Sequence, residues 1–260
     1  MNRIDARFAE LKAAGKKGLV AYLTAGDPDL QTSEENVRIA LQGGVDVLEL
    51  GVPFSDPTAD GPTIQEAAQR ALAAGTNLND VLAMVKNLRK DFDTPIVLFG
   101  YANPFFRYGY ETLCRDAVEA GVDGFLVVDI PYEICGELKM HTDAAGLRLI
   151  PLIAPTTAAE RADRILSEAQ GFAYYIMVKG VTGARRELVV DLGERIAALR
   201  GVTDLPIAAG FGVSSGEQAA EVARTADAVV VGSALVRAAH EGGLAELMVD
   251  LKRGVDGLSE

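Results

Sequence analysis

Tryptophan is absent from the 260 residues, and histidine and cysteine occur twice each. Cys114 and Cys135 are too few and too unpatterned for a disulfide framework and form no CxxC pair, so both are expected to be reduced. His141 and His240 lie in polar helical stretches without a partner at metal-ligand spacing, which speaks against a metal site. No run reaches the roughly 18 unbroken apolar residues of a membrane span. Residues 1–5 lack the basic-then-apolar pattern of a signal peptide, so a cytoplasmic protein is expected. Positive charge is also scarce: 25 Lys and Arg against 37 Asp and Glu give a net charge of -12. That balance offers no electrostatic footprint for nucleic acid or an anionic membrane. A small anionic substrate stays open, because backbone amides at helix amino termini bind phosphate without side-chain charge.

What is present is core material, 49 % hydrophobic residues, arranged with a repeating period. Short β-rich runs at 19–23, 45–50, 95–99, 124–128, 148–152, 173–178, 206–209 and 228–231 alternate with amphipathic stretches at 33–42, 63–74, 110–120, 133–145, 158–170, 188–199, 215–224 and 244–253. Glycines at Gly43-Gly44, Gly121, Gly146 and Gly201 punctuate the return to the next strand. Near-continuous apolar strands in strict alternation with helices imply a parallel sheet. Eight such units predict an α/β protein with a (β/α)8 TIM-barrel fold, one domain spanning residues 1–260. No GxGxxG turn follows the first strand, where an open nucleotide-binding sheet would carry one. Two further helices are expected: 3–14, placed to plug the bottom of the barrel, and 78–90, after the second βα unit.

Barrel enzymes carry their chemistry at the carboxyl ends of the strands. Glu49 stands there, in Val45-Asp46-Val47-Leu48-Glu49-Leu50. Alternation puts Val45, Val47 and Glu49 on one face and Asp46, Leu48 and Leu50 on the other, so Glu49 points into the barrel mouth. Desolvating a carboxylate costs several kcal/mol, which argues for a chemical role unless a buried cation pairs with it. The third, fourth, seventh and eighth runs hold no Lys or Arg, and Arg148 lies at the wrong end of the fifth. Eleven residues on, Asp60 sits in the proline-rich loop Pro53-Phe54-Ser55-Asp56-Pro57-Thr58-Ala59-Asp60-Gly61-Pro62. It is either a second acid held over the pocket or the cap of the helix that follows.

Glycines cluster after the last three strands: Gly180 and Gly183, Gly210 and Gly212, and Gly232 followed by Ser233. Backbone amides of these loops can converge on one phosphate. Ser214 with Glu217 reads as a capping box and is left out of the site. Tyr22 near the end of the first run, Tyr101 just after the third and Tyr174 early in the sixth stand either as core residues or as hydroxyls and flat walls for an aromatic substrate.

Leu48-Glu49-Leu50-Gly51-Val52-Pro53-Phe54-Ser55-Asp56-Pro57 with Ala59-Asp60-Gly61-Pro62 resembles the signature of the tryptophan synthase alpha chain family. Leu23-Thr24-Ala25-Gly26-Asp27-Pro28, Tyr101-Ala102-Asn103-Pro104, Asp129-Ile130-Pro131, Lys179-Gly180-Val181-Thr182-Gly183 and Gly210-Phe211-Gly212 fit the same family in order, over essentially the whole chain. The resemblance implies retro-aldol cleavage of indole-3-glycerol phosphate to indole and glyceraldehyde 3-phosphate, with no cofactor in this chain. By that likeness Glu49 and Asp60 are catalytic. Tyr22, Tyr101, Tyr174, Thr182 and Phe211 line the substrate, and Gly183, Gly212, Gly232 and Ser233 hold its phosphate. Residues 179–187 form a closing lid. The implied partner is a beta chain carrying pyridoxal phosphate, joined in an α2β2 complex through Pro53, Asp56 and Pro57. The absence of tryptophan agrees with an enzyme required when tryptophan is scarce.

Departures from the family pattern are Tyr22 where many members have phenylalanine, Met177-Val178 before the lid, and Thr58 in place of a commoner apolar residue. A sugar-phosphate isomerase, an indole-glycerol-phosphate synthase and an inactive regulatory subunit are the alternatives. The synthase would be expected to carry a strand lysine, and these strands have none outside Lys179. Retention of both acids speaks against the inactive subunit.

Overall fold

Parallel pairing follows from the apolar runs. β1 (Gly18–Thr24), β2 (Val47–Gly51), β3 (Ile96–Gly100), β4 (Gly124–Val127), β5 (Arg148–Leu149), β6 (Leu152–Ile153), β7 (Ala173–Ile176), β8 (Ile207–Gly210) and β9 (Ala228–Val231) fall within two residues of the expected positions. The computed structural model describes residues 1–176, 185–210 and 212–257, with backbone alone for 185–191. Hydrogen-bonded neighbours run β5-β4-β3-β2-β1-β9-β8-β7-β6. The two ends of that order, β5 and β6, are halves of one stave separated by Ile150 and Pro151. Ile150 N–H donates to Phe125 O at 2.8 Å on one side and Tyr174 N–H donates to Pro151 O at 2.9 Å on the other, so the sheet closes through the chain itself. Proline has no N–H to give a ladder, which is why the single strand expected over 148–152 divides. Beside the division a cavity of about 370 Å³ opens, bounded by Val128, Pro151 and Leu152 on the barrel side and Tyr132 and Ile165 on the helix side.

Alternation separates two cores. Leu19, Ala21, Leu48, Leu50 and Leu98 face the helices, whereas Val20, Val47, Val97, Leu126, Ile150, Phe172, Ala208 and Val230 fill the barrel. Helix Arg3–Ala13 closes the bottom. Its buried stripe Ile4, Phe8 and Leu11 recurs at helical spacing, and Phe8 meets Phe172 with ring centroids 5.3 Å apart. The other expected extra helix is Leu78–Leu88, capped by the reciprocal Asn77 and Asp80 box. Gly121 ends helix Tyr110–Ala120 at φ 92°, a left-handed conformation that a side chain would strain.

Two helices lie outside the expected set, Ala102–Tyr108 after β3 and Ser233–Glu241 after β9. The stretch expected as one helix over 133–145 begins with a 3₁₀ turn, Tyr132–Ile134, and becomes α-helical at Gly136–Ala145. The box at Ser214 moves by one residue. Ser215 is the N-cap, accepting from Gln218 N–H, and Gln218 Oε1 in turn accepts from Ser214 N–H. No helix among the described residues is long and apolar enough to cross a membrane.

Three aspartates at strand starts fasten the lower rim. Asp46 accepts from Leu19 N–H at 2.7 Å and pairs with Arg7 and Lys252. Asp123 accepts from Ile96 N–H at 2.8 Å and pairs with Arg3 and Arg89, and Asp227 accepts from Ile207 N–H at 2.9 Å and pairs with Arg200. Each one clips its own strand to the neighbour before it. Arg148 also belongs to this rim, donating to Asp5.

Candidate active site

Glu49 projects inward from β2, above Val47 and opposite Tyr22 of β1 and Val97 of β3 in the ladder. Its side chain is fully buried, and neither carboxylate oxygen has a hydrogen-bond partner among the described residues. Among the described residues, the buried ion pair considered from sequence is not formed. Burial alone pushes its carboxyl up to about 8, so near neutrality Glu49 holds a proton it can donate.

Asp60 reaches the same mouth from the loop after β2. The loop is shaped locally: Thr58 N–H donates to Asp56 O and Asp60 N–H to Pro57 O, and Gln65 Nε2 donates to Asp60 O at 2.8 Å. Capping, the other role open to Asp60, does not occur. The N-cap of helix Pro62–Ala73 is Gly61, without a side-chain cap, and Asp60 Oδ2 accepts from the Tyr101 hydroxyl at 2.9 Å. Burial raises the Asp60 carboxyl and the Tyr101 bond opposes that rise.

Tyrosines bind the two acids into one electrostatic unit. Burial raises the Tyr22 phenol, with Asp60 and then Glu49 adding to it. Burial also raises Tyr174, with further contributions from Glu49 and Asp60. All three phenols therefore stay neutral hydroxyls beside the acids, Tyr101 being raised by burial and by Asp60. Tyr22 packs edge-on against Phe99, ring centroids 5.0 Å apart. Its hydroxyl lies so close to Gly51 that an added Cβ would stand 2.2 Å from it, which explains glycine after Leu50. Tyr174, Phe99, Val128 and Leu152 complete the layer above the barrel core. Alternation alone would have exposed Phe99, since it shares a face with Val97.

After β8 and β9, two helix amino termini differ. Helix Gly216–Ala223 is already occupied: Gly216 N–H donates to Asp250 Oδ2 at 2.6 Å and Gln218 N–H to Ser215. Helix Ser233–Glu241 has Gly232 as N-cap and no side-chain cap. Its first amides are the ones left to meet an anion. Gly212, at φ 65°, has nothing within 4 Å of where a Cβ would stand. Thr182, Gly183, Phe211 and most of the lid expected at 179–187 lie outside the described residues. On the rim, Pro53 is buried, Pro57 half-buried and Asp56 exposed, its carboxylate accepting from the Ser55 hydroxyl. Among the described residues no group of His, Cys, Asp and Glu is placed to hold a metal ion.

Comparison with known proteins shows the family. The family model described as tryptophan synthase alpha chain matches residues 8–253. The alpha chain of Citrifermentans bemidjiense is 51 % identical over 260 residues, covering 100 % of this chain and 97 % of the relative. That of Geobacter sulfurreducens is 46 % identical over 260 residues, covering 100 % and 98 %. Among solved structures, tryptophan synthase subunit alpha from Legionella pneumophila superposes with a TM-score of 0.90 at 40 % identity, covering 99 % of each chain. Tryptophan synthase from M. tuberculosis in its aminoacrylate-bound form gives 0.90 at 33 % identity, covering 98 % of this chain and 100 % of that one. This chain belongs to the tryptophan synthase alpha chain family.

Proposed function

We propose that the chain cleaves indole-3-glycerol phosphate to indole and glyceraldehyde 3-phosphate, with Glu49 as acid and base and Asp60 as the partner of the ring nitrogen. The observation that carries the assignment is Glu49 itself, a fully buried carboxyl without a partner, protonated near neutrality, at the carboxyl end of an inward-facing strand position. Breaking the bond between the indole ring and the glycerol chain requires a proton on the ring carbon that bears the chain. Glu49 supplies it. The ring nitrogen then becomes electron-poor, and the Asp60 carboxylate accepts its N–H and stabilises the indolenine. Glu49, now ionised, takes the proton of the adjacent glycerol hydroxyl. The alkoxide collapses to the aldehyde, and the bonding electrons return to the ring. Glu49 ends the cycle protonated, as it began.

Acid, base and cation-stabilising carboxylate account for every proton moved, so the step calls for no cofactor in this chain. Each positioned acid or base is typically worth roughly 10² to 10⁴-fold in rate. Tyr22 and Tyr101 border the indole, Tyr174 the glycerol region. The uncapped terminus at Gly232 and Ser233 takes the phosphate together with Gly212 and Gly183. Thr182 and Phe211 complete the substrate wall. Residues 1–260 act as one cytoplasmic domain, a reading supported by the continuous ladder around the barrel and the unpatterned cysteines.

The chain acts with a tryptophan synthase beta chain in an α2β2 complex, and pyridoxal phosphate belongs to that partner. The rim loop with Pro53, Asp56 and Pro57 faces it. Two strongly exposed apolar side chains, Phe106 and Ile134, stand on segments after β3 and β4 at the same end of the barrel, which supports that placement. Incubating the purified chain with indole-3-glycerol phosphate tests the reaction. Slow indole release alone and much faster release with the beta chain is expected; no indole in either case refutes it.

A further inference from the structure

A catalytic carboxylate on a loop needs something rigid to aim it. Asp60 follows two exposed residues, Thr58 and Ala59, and its own backbone is tied only within the loop and to Gln65. Tyr101 supplies the missing connection to the barrel. Its hydroxyl accepts from Ala59 N–H at 3.0 Å and donates to Asp60 Oδ2 at 2.9 Å, gripping two consecutive loop residues with one oxygen. The phenol is only 3 % exposed. It springs from the residue after β3, where helix Ala102–Tyr108 begins and Ala102 N–H is pinned to Asp129 at 2.7 Å. Phe54 covers the ring with centroids 5.3 Å apart. Ring, oxygen and backbone are each fixed by a different neighbour.

We propose that Tyr101 is a positioning residue for Asp60. Its hydroxyl occupies one carboxylate oxygen and the Ala59 amide, and so presents the other oxygen to the substrate ring N–H. The role rests on the reaction proposed above. As the ring nitrogen gains positive charge, a carboxylate already ionised and already aimed reorganises least. The bond from the hydroxyl also favours the ionised form of Asp60 against its burial. The other ionisable groups facing this pair are Glu49, Tyr22 and Tyr174, with Asp129 beside Tyr101.

Tyr101→Phe is the test, because it keeps the ring, the Phe54 contact and the wall of the pocket while removing one oxygen. Indole release is expected to fall roughly 10 to 100-fold in kcat, the scale of one hydrogen bond to a charged group. KM and the affinity for glycerol 3-phosphate should stay within about twofold, since uniform binding is untouched. The acid limb of kcat/KM should move to higher pH as Asp60 loses the bond that favours its charge. In the ligand-free protein, carboxyl ¹³C NMR should show the same upward move of Asp60, and Ala59 amide exchange should quicken by about tenfold or more. Wild-type kcat, pH profile and Ala59 exchange in the variant would overturn the assignment and leave Tyr101 as wall alone. If the unaltered chain released no indole, the reaction would fall, while the Asp60 titration and Ala59 exchange would still decide for or against the grip.

Discussion

Asp46 and Glu49 stand three residues apart on the same strand approach and are almost equally buried, at 1 % and 0 %. Asp46, at the lower rim, accepts from a backbone amide and from two cations. Glu49, at the mouth, accepts from nothing among the described residues. Desolvation burdens both, yet only at the lower rim do partners offset it. Other acids follow their surroundings in the same way, and Asp27, buried past the carboxyl end of β1, is held by Arg70 at 2.6 Å. Asp123 and Asp227 repeat the clip of Asp46, whereas Asp60 accepts from the Tyr101 hydroxyl and, among the described residues, forms no ion pair. Apart from both Glu49 oxygens, the Thr76 hydroxyl is the one buried side-chain polar atom without a partner among the described residues. Partners, more than burial, thus separate Asp46, Asp123 and Asp227, which clip strands together, from Glu49, whose oxygens are left unsatisfied among the described residues.

Exchanging the acids of each rim puts that division at risk. Glu49→Gln should show the largest effect, a loss of about 10³-fold or more in kcat. Its denaturation midpoint should be unchanged or higher, and indole release beside urea titration reads both. A clear loss of stability would mean that Glu49 is structural after all. Asp123→Ala should do the reverse. It removes the only carboxylate paired among the described residues with Arg89, whose side chain is 10 % exposed and keeps only backbone carbonyls, and it orphans Ile96 N–H. About 3 to 5 kcal/mol should be lost in urea unfolding, with kcat of the folded protein near that of the parent. Asp60→Asn should lower kcat by about 10²-fold while glycerol 3-phosphate still binds by calorimetry.

Glu49 also makes a prediction in pH. Its folded value of about 8 lies above the ordinary carboxyl value of 4.5, so between those limits the folded state keeps a proton that the unfolded chain releases. Stability from this group is complete below about 4.5 and is lost as pH rises through about 8. The stability of Glu49→Gln relative to the parent should therefore climb over that window, and a flat difference would contradict the raised value. Asp227→Ala should have the smallest effect, about 1 kcal/mol in urea unfolding, because its ion pairs are partly exposed to solvent screening.

The barrel was legible because parallel strands buried on both faces are written as apolar runs, and Val47 with Glu49 shows how alternation by itself assigns a face. Pro151 carried the signal for the divided stave, an absent N–H inside a strand pattern. Helix Ala102–Tyr108 was hidden by its seven residues, too few for a hydrophobic period to emerge beside Pro104. Asp60 was ambiguous for another reason: spacing places a side chain near a helix start without saying whether it turns back to cap or out to Tyr101. Ser214 and Ser215 failed in the same way, by one residue. The grip of Tyr101 on Ala59 and Asp60 joins residues about forty positions apart, a separation at which local pattern carries no information.

The plug at the bottom of the barrel has a consequence for the order in which the molecule can be assembled. Helix Arg3–Ala13 is synthesised before all of its anchors: Asp46 for Arg7, Asp123 for Arg3, Arg148 for Asp5 and Phe172 for Phe8. Until Phe172 has been synthesised, Ile4, Phe8 and Leu11 have no finished cavity to enter, so this helix is made well before it can dock.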